Sequence, residues 1–175
     1  LSQTKEILLS LKKLSTADDY SNFLKIQKGF LFVSFYASIE FTVTTSVTRF
    51  LEVISNSPEK PIKYKTYILC TLLNSHFNAM RDCSKSNVWD KRSEFMDTMF
   101  SDSHVNIDST VFPSDGINIT GKQIRDIWKY FHLSGNPLPE GIEDFFLMEI
   151  KNHRNALAHG RERAAEIGGR YTLDK

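Results

Sequence analysis

The stretch Gly29–Thr48, GFLFVSFYASIEFTVTTSVT, decides the fold. Its length matches a helix that crosses a bilayer. However, its single charge, Glu40, sits in the middle, and seven Ser or Thr residues share the run. A carboxylate at the centre of a membrane helix costs about 2.5–3.5 kcal/mol. Phe, Val and Thr also favour strands, yet the run is too long for one strand and no turn residue breaks it. The reading that fits is a long buried helix over residues 23–54, with no membrane span.

Working outward, Thr4–Leu14 reads as a short helix, and Thr16–Asp19 resembles an N-terminal cap for the long one. Ser55-Asn-Ser-Pro58 ends the long helix, and Tyr64–Met80 is a second helical candidate. Residues 93–117 carry five acids (Glu94, Asp97, Asp102, Asp108 and Asp115) and no Lys or Arg. The expectation there is helix to about Phe100, then an acidic irregular loop around residues 101–119 that is poorly suited to a polyanion. Thr120-Gly-Lys-Gln123 has capping-box form and opens a helix to about Leu133. Gly135–Pro139 reads as a turn, and the last long helix is expected over Gly141–Ala158. These elements predict an all-α fold, a bundle of four to six helices forming a single domain over residues 1–175.

Composition bounds the class. The chain has 175 residues, 22 Lys+Arg against 21 Asp+Glu, 41% apolar residues and 25% charged residues. These values exclude collagen-like, disulfide-scaffold and disordered classes. A net charge of +1 argues against holding nucleic acid by bulk electrostatics, so any basic site must be local. Cys70 and Cys83 form no CxxC and read as free thiols in a reducing cytoplasm. The opening LSQTKEILLSLKKL lacks the features of a secretory signal. It also lacks Met, which reads as missing front residues or a removed tag, and the end at Lys175 reads as abrupt.

No phosphate loop, GxGxxG, HExxH or GxSxG is present. No two of the five histidines have the i, i+4 spacing of a helical metal site, and no metal or cofactor is expected. Local basicity lies at the end of the last helix. From Lys151 to Arg170 there are five Lys/Arg and two acids. At about 100° per residue, Ile142, Phe146, Ile150, His153 and Leu157 share one stripe, read as the core face. His153 is therefore expected to be a packed, hydrogen-bonded histidine. Arg154 and His159 lie outside the stripe, about 140° apart, and flank a polar face with Lys151 and Asn155. Gly160 is well placed as a left-handed C-cap. A helix C-terminus favours a protonated imidazole and a nearby arginine opposes it, a balance suited to proton transfer. Spacing alone favours a solvated helix end capped by histidine.

Arg154-Asn-Ala-Leu-Ala-His159 resembles the R-(N/H)-x-x-x-H signature of the HEPN superfamily of small all-α domains. The context EIKNHRNALAHG resembles the closing helix of stand-alone, defence-associated HEPN proteins, and KGFLFVSFYASIEFTV resembles their early helix with its Lys-Gly start and terminal Glu. The resemblance implies a homodimer whose motif helices meet across a two-fold axis. It implies His159 and Arg154 as a catalytic pair, Asn155 as a positioning residue, and Glu40 as an early-helix acid that orients the site, with a structural ion pair as the alternative for Glu40. Lys151, Arg161 and Arg163 would contact substrate, with His153 behind them. Related toxins carry a Tyr two positions after the His. Here that position is Arg161, so inhibition by modifying such a tyrosine is not expected.

What the resemblance implies chemically is a metal-independent endoribonuclease in the cytoplasm, serving as a toxin or anti-phage effector. RNA supplies its own nucleophile, the 2′-hydroxyl, and the products would be a 2′,3′-cyclic phosphate and a 5′-hydroxyl. Partners would be RNA, a second copy of the chain, and a cognate antitoxin or regulatory protein. The alternative is a non-catalytic HEPN module that binds RNA, a nucleotide or a partner protein. A plain helical interaction domain is the third reading.

Overall fold

The computed structural model of the chain describes residues 2–14, 21–57, 59–108, 111 and 118–172. Among them are eight α-helices and no strand. The helices are α1 (Ser2–Leu14), α2 (Ser21–Ser55), α3 (Thr66–Leu72), α4 (Asn74–Asp82), α5 (Val88–Met99), α6 (Gly121–Tyr130), α7 (Asp144–Ala158) and α8 (Ala164–Gly168). The all-α expectation holds, with more helices than four to six. The candidate over Tyr64–Met80 divides at Leu73, a buried residue whose backbone N–H closes α3 on the Leu69 carbonyl (2.9 Å) just before α4 begins. Residues 161–167, which the sequence leaves open as an extension of the last helix or a separate one, lead into a separate short helix, α8. The cap proposed at Thr16–Asp19 lies outside the described residues.

The chain divides into two compact units, residues 1–43, 117–124 and 136–175 in one and 44–116 and 125–135 in the other. The first holds α1, the front of α2, α7 and α8. Its core includes Leu11, Leu31, Tyr36, Leu147 and Ile167. The second holds the rest of α2, α3 to α5 and most of α6. There Phe50 stacks on Phe131 with ring centroids 4.2 Å apart, beside buried Leu51, Leu72 and Ile127.

Helix α2 is long and apolar enough to cross a membrane by length and composition. It instead buries one stripe of residues within the chain. Gly29, Tyr36, Val47 and Leu51 are buried, and with half-buried Glu40 they fall within about 60° at helical spacing. The expectation of a buried helix holds for that stripe and for Leu31 on another side of the helix, while Phe23, Phe30, Phe41 and Val53 are exposed. Helix α6 starts with the expected capping box. The Thr120 N–H donates to Gln123 Oε1 (2.8 Å) and the Gln123 N–H to Thr120 Oγ1 (3.4 Å).

Two glycines let α8 cross α2 at backbone contact. A Cβ on Gly29 would lie 2.1 Å from the Ala164 carbonyl oxygen. One on Gly168 would lie 1.8 Å from the Lys25 carbonyl oxygen and 2.6 Å from the Gly29 nitrogen. No side chain fits between these backbones.

The face expected to be buried on α7 needs correction. Ile142 precedes the helix and is exposed, and Phe146 is also exposed. The buried residues of α7 are Leu147 and Ala156, which lie outside that stripe. Helical periodicity identifies an apolar face but not what covers it.

Candidate functional site

The site is built on the last turns of α7. The helix closes as expected at Gly160, whose φ is +63°. The Gly160 N–H donates to the Leu157 carbonyl (3.1 Å) and the Arg161 N–H to the Ala156 carbonyl (2.8 Å), the paired bonds of a Schellman motif. His159 is the C-cap residue. Its imidazole is exposed and makes no hydrogen bond among the described residues.

Arg154 is held differently. Its guanidinium lies over the Tyr36 ring, 4.5 Å from the centroid, and its Nη1 donates to Asn155 Oδ1 (2.8 Å). The Tyr36 ring is itself fixed. It is 2% exposed, and its hydroxyl accepts the Ile119 N–H (3.0 Å) and donates to Asn118 Oδ1 (3.4 Å). The guanidinium therefore rests on a rigid plane from α2 and is turned by the neighbouring amide. Arg154 is half-buried, and among the described residues no carboxylate pairs with it. A guanidinium has five N–H donors, and Asn155 takes one of them. Among the described residues the rest are free for a planar anion such as a phosphate.

Within one copy no hydrogen bond joins Arg154 to His159 among the described residues, in keeping with their separation around the helix. The structure does bring Asn155 and Arg154 together. Lys151 is half-buried on the same helix, while Arg161 and Arg163 are exposed beyond it. The Arg163 N–H donates to Glu166 Oε2 (3.1 Å) at the start of α8. Arg170 is neutralised by an ion pair with Glu162. Glu40 sits on α2 one helical turn after Tyr36 and on the same face.

His153 is the packed, hydrogen-bonded histidine that its position predicts. Its ring meets Phe32 edge-on at 4.7 Å, and its side chain is 11% exposed. The Tyr171 hydroxyl donates to Glu149 Oε1 (2.6 Å), so it accepts from His153 Nε2 (2.6 Å), which fixes the Nε2–H tautomer. Lys28 Nζ donates to the Tyr171 carbonyl (2.5 Å) and ties the chain end to α2. Beside this network lies a cavity of about 400 Å³, apolar on Leu31, Phe35 and Phe146 and polar at Lys28 and Glu149.

Burial, and then the bond to Glu149, pushes the Tyr171 pKa up to about 12. A tyrosine is charged when deprotonated, and in the unfolded chain it titrates near 10. Tyr171 therefore supports the folded state fully below about pH 10 and loses that contribution as pH rises towards 12. Tyr171→Phe is expected to lower stability by about 1–2 kcal/mol at pH 7 and to lack this part of the alkaline loss. Urea unfolding of both proteins at pH 7, 9 and 11 measures both effects.

Sequence reasoning missed Tyr36, Asn118, Tyr171 and Glu149. Glu149 was legible as the i−4 neighbour of His153, and Tyr36 as the i−4 neighbour of Glu40. Nothing local marks Tyr171. Among the described residues no group of three or more His, Cys, Asp or Glu side chains converges as a metal site, and both cysteines are free.

A family model described as RiboL-PSP-HEPN matches residues 1–170. No curated protein matches the chain, and no solved structure does. The family match spans both the Glu-bearing α2 and the RNxxxH turn of α7, the two segments that carry the motif resemblance, and the helical architecture agrees with it. The chain thus belongs to the RiboL-PSP-HEPN family of the HEPN superfamily, which points to a ribonuclease-type or other RNA-related function.

Proposed function

We propose that the chain is a metal-independent endoribonuclease acting as a cytoplasmic homodimer, and that it serves as a toxin or anti-phage effector. The observation that carries this reading is Arg154. It is a half-buried guanidinium laid on a fixed aromatic plane, with no carboxylate partner among the described residues, five positions before an exposed imidazole. Tyr36 and Asn155 hold this cation in a set orientation, and an oriented fork suits a phosphate.

In the proposed reaction the 2′-hydroxyl oxygen attacks the adjacent phosphorus. Its proton leaves to a base, the P–O5′ bond breaks, and the 5′-oxygen takes up a proton. The products are a 2′,3′-cyclic phosphate and a 5′-hydroxyl. His159 moves one of the protons, and Arg154 stabilises the charge gathering on the non-bridging oxygens. Asn155 aims the guanidinium, and Lys151, Arg161 and Arg163 hold flanking phosphates. Because α7 separates Arg154 and His159 around its axis, a second copy completes the site. The exposed Phe145, Phe146 and Met148 on α7 supply an apolar face for that copy. A cognate antitoxin or regulator would hold the enzyme in check.

The test is induced expression of the wild type beside His159→Ala in a bacterial host, with sequencing of RNA ends. The expected result is growth arrest and new 2′,3′-cyclic phosphate ends with the wild type alone. Equal growth of both strains with unchanged RNA ends, at equal protein level, would contradict the toxin reading.

A further inference from the structure

The second unit carries a surface that the ribonuclease reading does not use. Helix α5 is apolar on two faces. One face packs inward through Phe95, whose ring lies 5.3 Å from that of Phe77 on α4. The other runs Trp89, Arg92, Met96, Phe100, at spacings of three, four and four residues. These positions fall within about 80° of arc and extend about 16 Å along the axis. Trp89 is 72% exposed, Phe100 61% and Met96 46%. Leaving three large apolar side chains in water along one line of a helix is costly, at about 25 cal/mol for each Å² left uncovered. Trp, Met, Phe and Arg are also the residues enriched in protein interfaces.

The charge around the stripe selects the partner. Asp90 and Asp97 border one side of it, and neither is in a salt bridge among the described residues. Glu94 lies farther round and is paired with Lys91 (2.7 Å). On the other margin the Arg92 guanidinium lies over the Trp89 ring at 4.7 Å. Asp102, past the end of the stripe, is itself paired with Lys60, so the acidic border consists of Asp90 and Asp97. Such a border repels the phosphates of a nucleic acid and attracts a basic protein segment.

From this we infer that the Trp89–Arg92–Met96–Phe100 face of α5 docks a basic amphipathic helix of a partner protein. The helix lays apolar side chains at i, i+3, i+4 and i+7 on the stripe and turns Lys or Arg towards Asp90 and Asp97. About three turns suffice to cover the stripe. The surface lies in the unit that does not contain Arg154 and His159, so the inference stands independently of RNA cleavage.

The experiment is calorimetric titration of the full chain with an 18-residue helical peptide, leucine at i, i+3, i+4 and i+7 and lysine elsewhere. A counterpart has glutamate at every lysine position. The expected results are binding of the lysine peptide, binding at least about tenfold weaker for the glutamate peptide, and a similar loss with Trp89→Ala. Asp90→Lys combined with Asp97→Lys should reverse the preference. These are exposed positions whose substitution leaves folding nearly unchanged, which circular dichroism checks. Equal affinity for the two peptides would overturn the inference, as would lysine-peptide binding that Trp89→Ala leaves intact. So would loss of the chain's self-association in Trp89→Ala on sedimentation, which would assign the face to a second copy.

Discussion

His159→Ala is expected to lower RNA cleavage by about 10²–10⁴-fold, the usual worth of a positioned acid or base. Arg154→Ala is expected to lower it by about 10²–10³-fold, comparable to the loss of one transition-state donor. The two variants should differ in stability. The His159 imidazole is exposed and makes no bond among the described residues, so its removal should change stability by less than about 0.5 kcal/mol. Arg154 covers the Tyr36 ring, and its truncation should cost about 0.5–2 kcal/mol. Arg154→Lys separates charge from geometry. A lysine keeps the cation but cannot offer a planar fork aimed by Asn155 Oδ1, so it should restore folding more than activity. Cleavage of a labelled RNA, measured beside urea unfolding, distinguishes these outcomes. A His159→Ala protein as active as the wild type would remove the imidazole from the mechanism.

Gly168→Ala is expected to be among the most damaging single substitutions, costing on the order of 3 kcal/mol in urea unfolding. The added methyl meets the Lys25 carbonyl oxygen at 1.8 Å and the Gly29 nitrogen at 2.6 Å, and both are backbone atoms of α2 that cannot swing aside. Relief requires α8 to lift from α2. That shift would carry along Tyr171, three residues further on, and with it the bonds to Glu149 and His153 on α7. Gly29→Ala should act similarly through the Ala164 carbonyl. Gly169→Ala is the control. Its nearest neighbour would lie at 3.1 Å, and its effect should stay within about 1 kcal/mol. A Gly168→Ala protein as stable as the Gly169→Ala protein would mean that α8 does not pack on α2 at this distance.

The legible parts of the molecule were local. Unbroken apolar length announced α2, and Thr120 with Gln123 announced the start of α6. Gly160 after the last periodic residue announced the end of α7. His153 could be placed because helix geometry put it among apolar neighbours. Apart from Glu40 on α2, the site residues named from the sequence came from one motif and its surroundings.

The rest depended on non-local contacts. Gly168 and Gly169 carry little meaning in the sequence, because the backbone that Gly168 meets lies well over a hundred positions earlier. Tyr171 joins His153 only after the chain turns through α8. Tyr36 looks like one more aromatic residue in an apolar run until Arg154 is laid across it. The buried face of α7 was misread for a related reason: Phe146 has the right period, but within one copy it stays exposed.

The most direct measurement incubates the wild type and His159→Ala, in EDTA, with a ribonucleotide oligomer and with its deoxyribonucleotide counterpart. The wild type is expected to cut the RNA to 2′,3′-cyclic phosphate ends and leave the DNA whole, and His159→Ala to cut neither. Cleavage of both polymers by the wild type, or RNA cleavage that survives loss of His159, would contradict it.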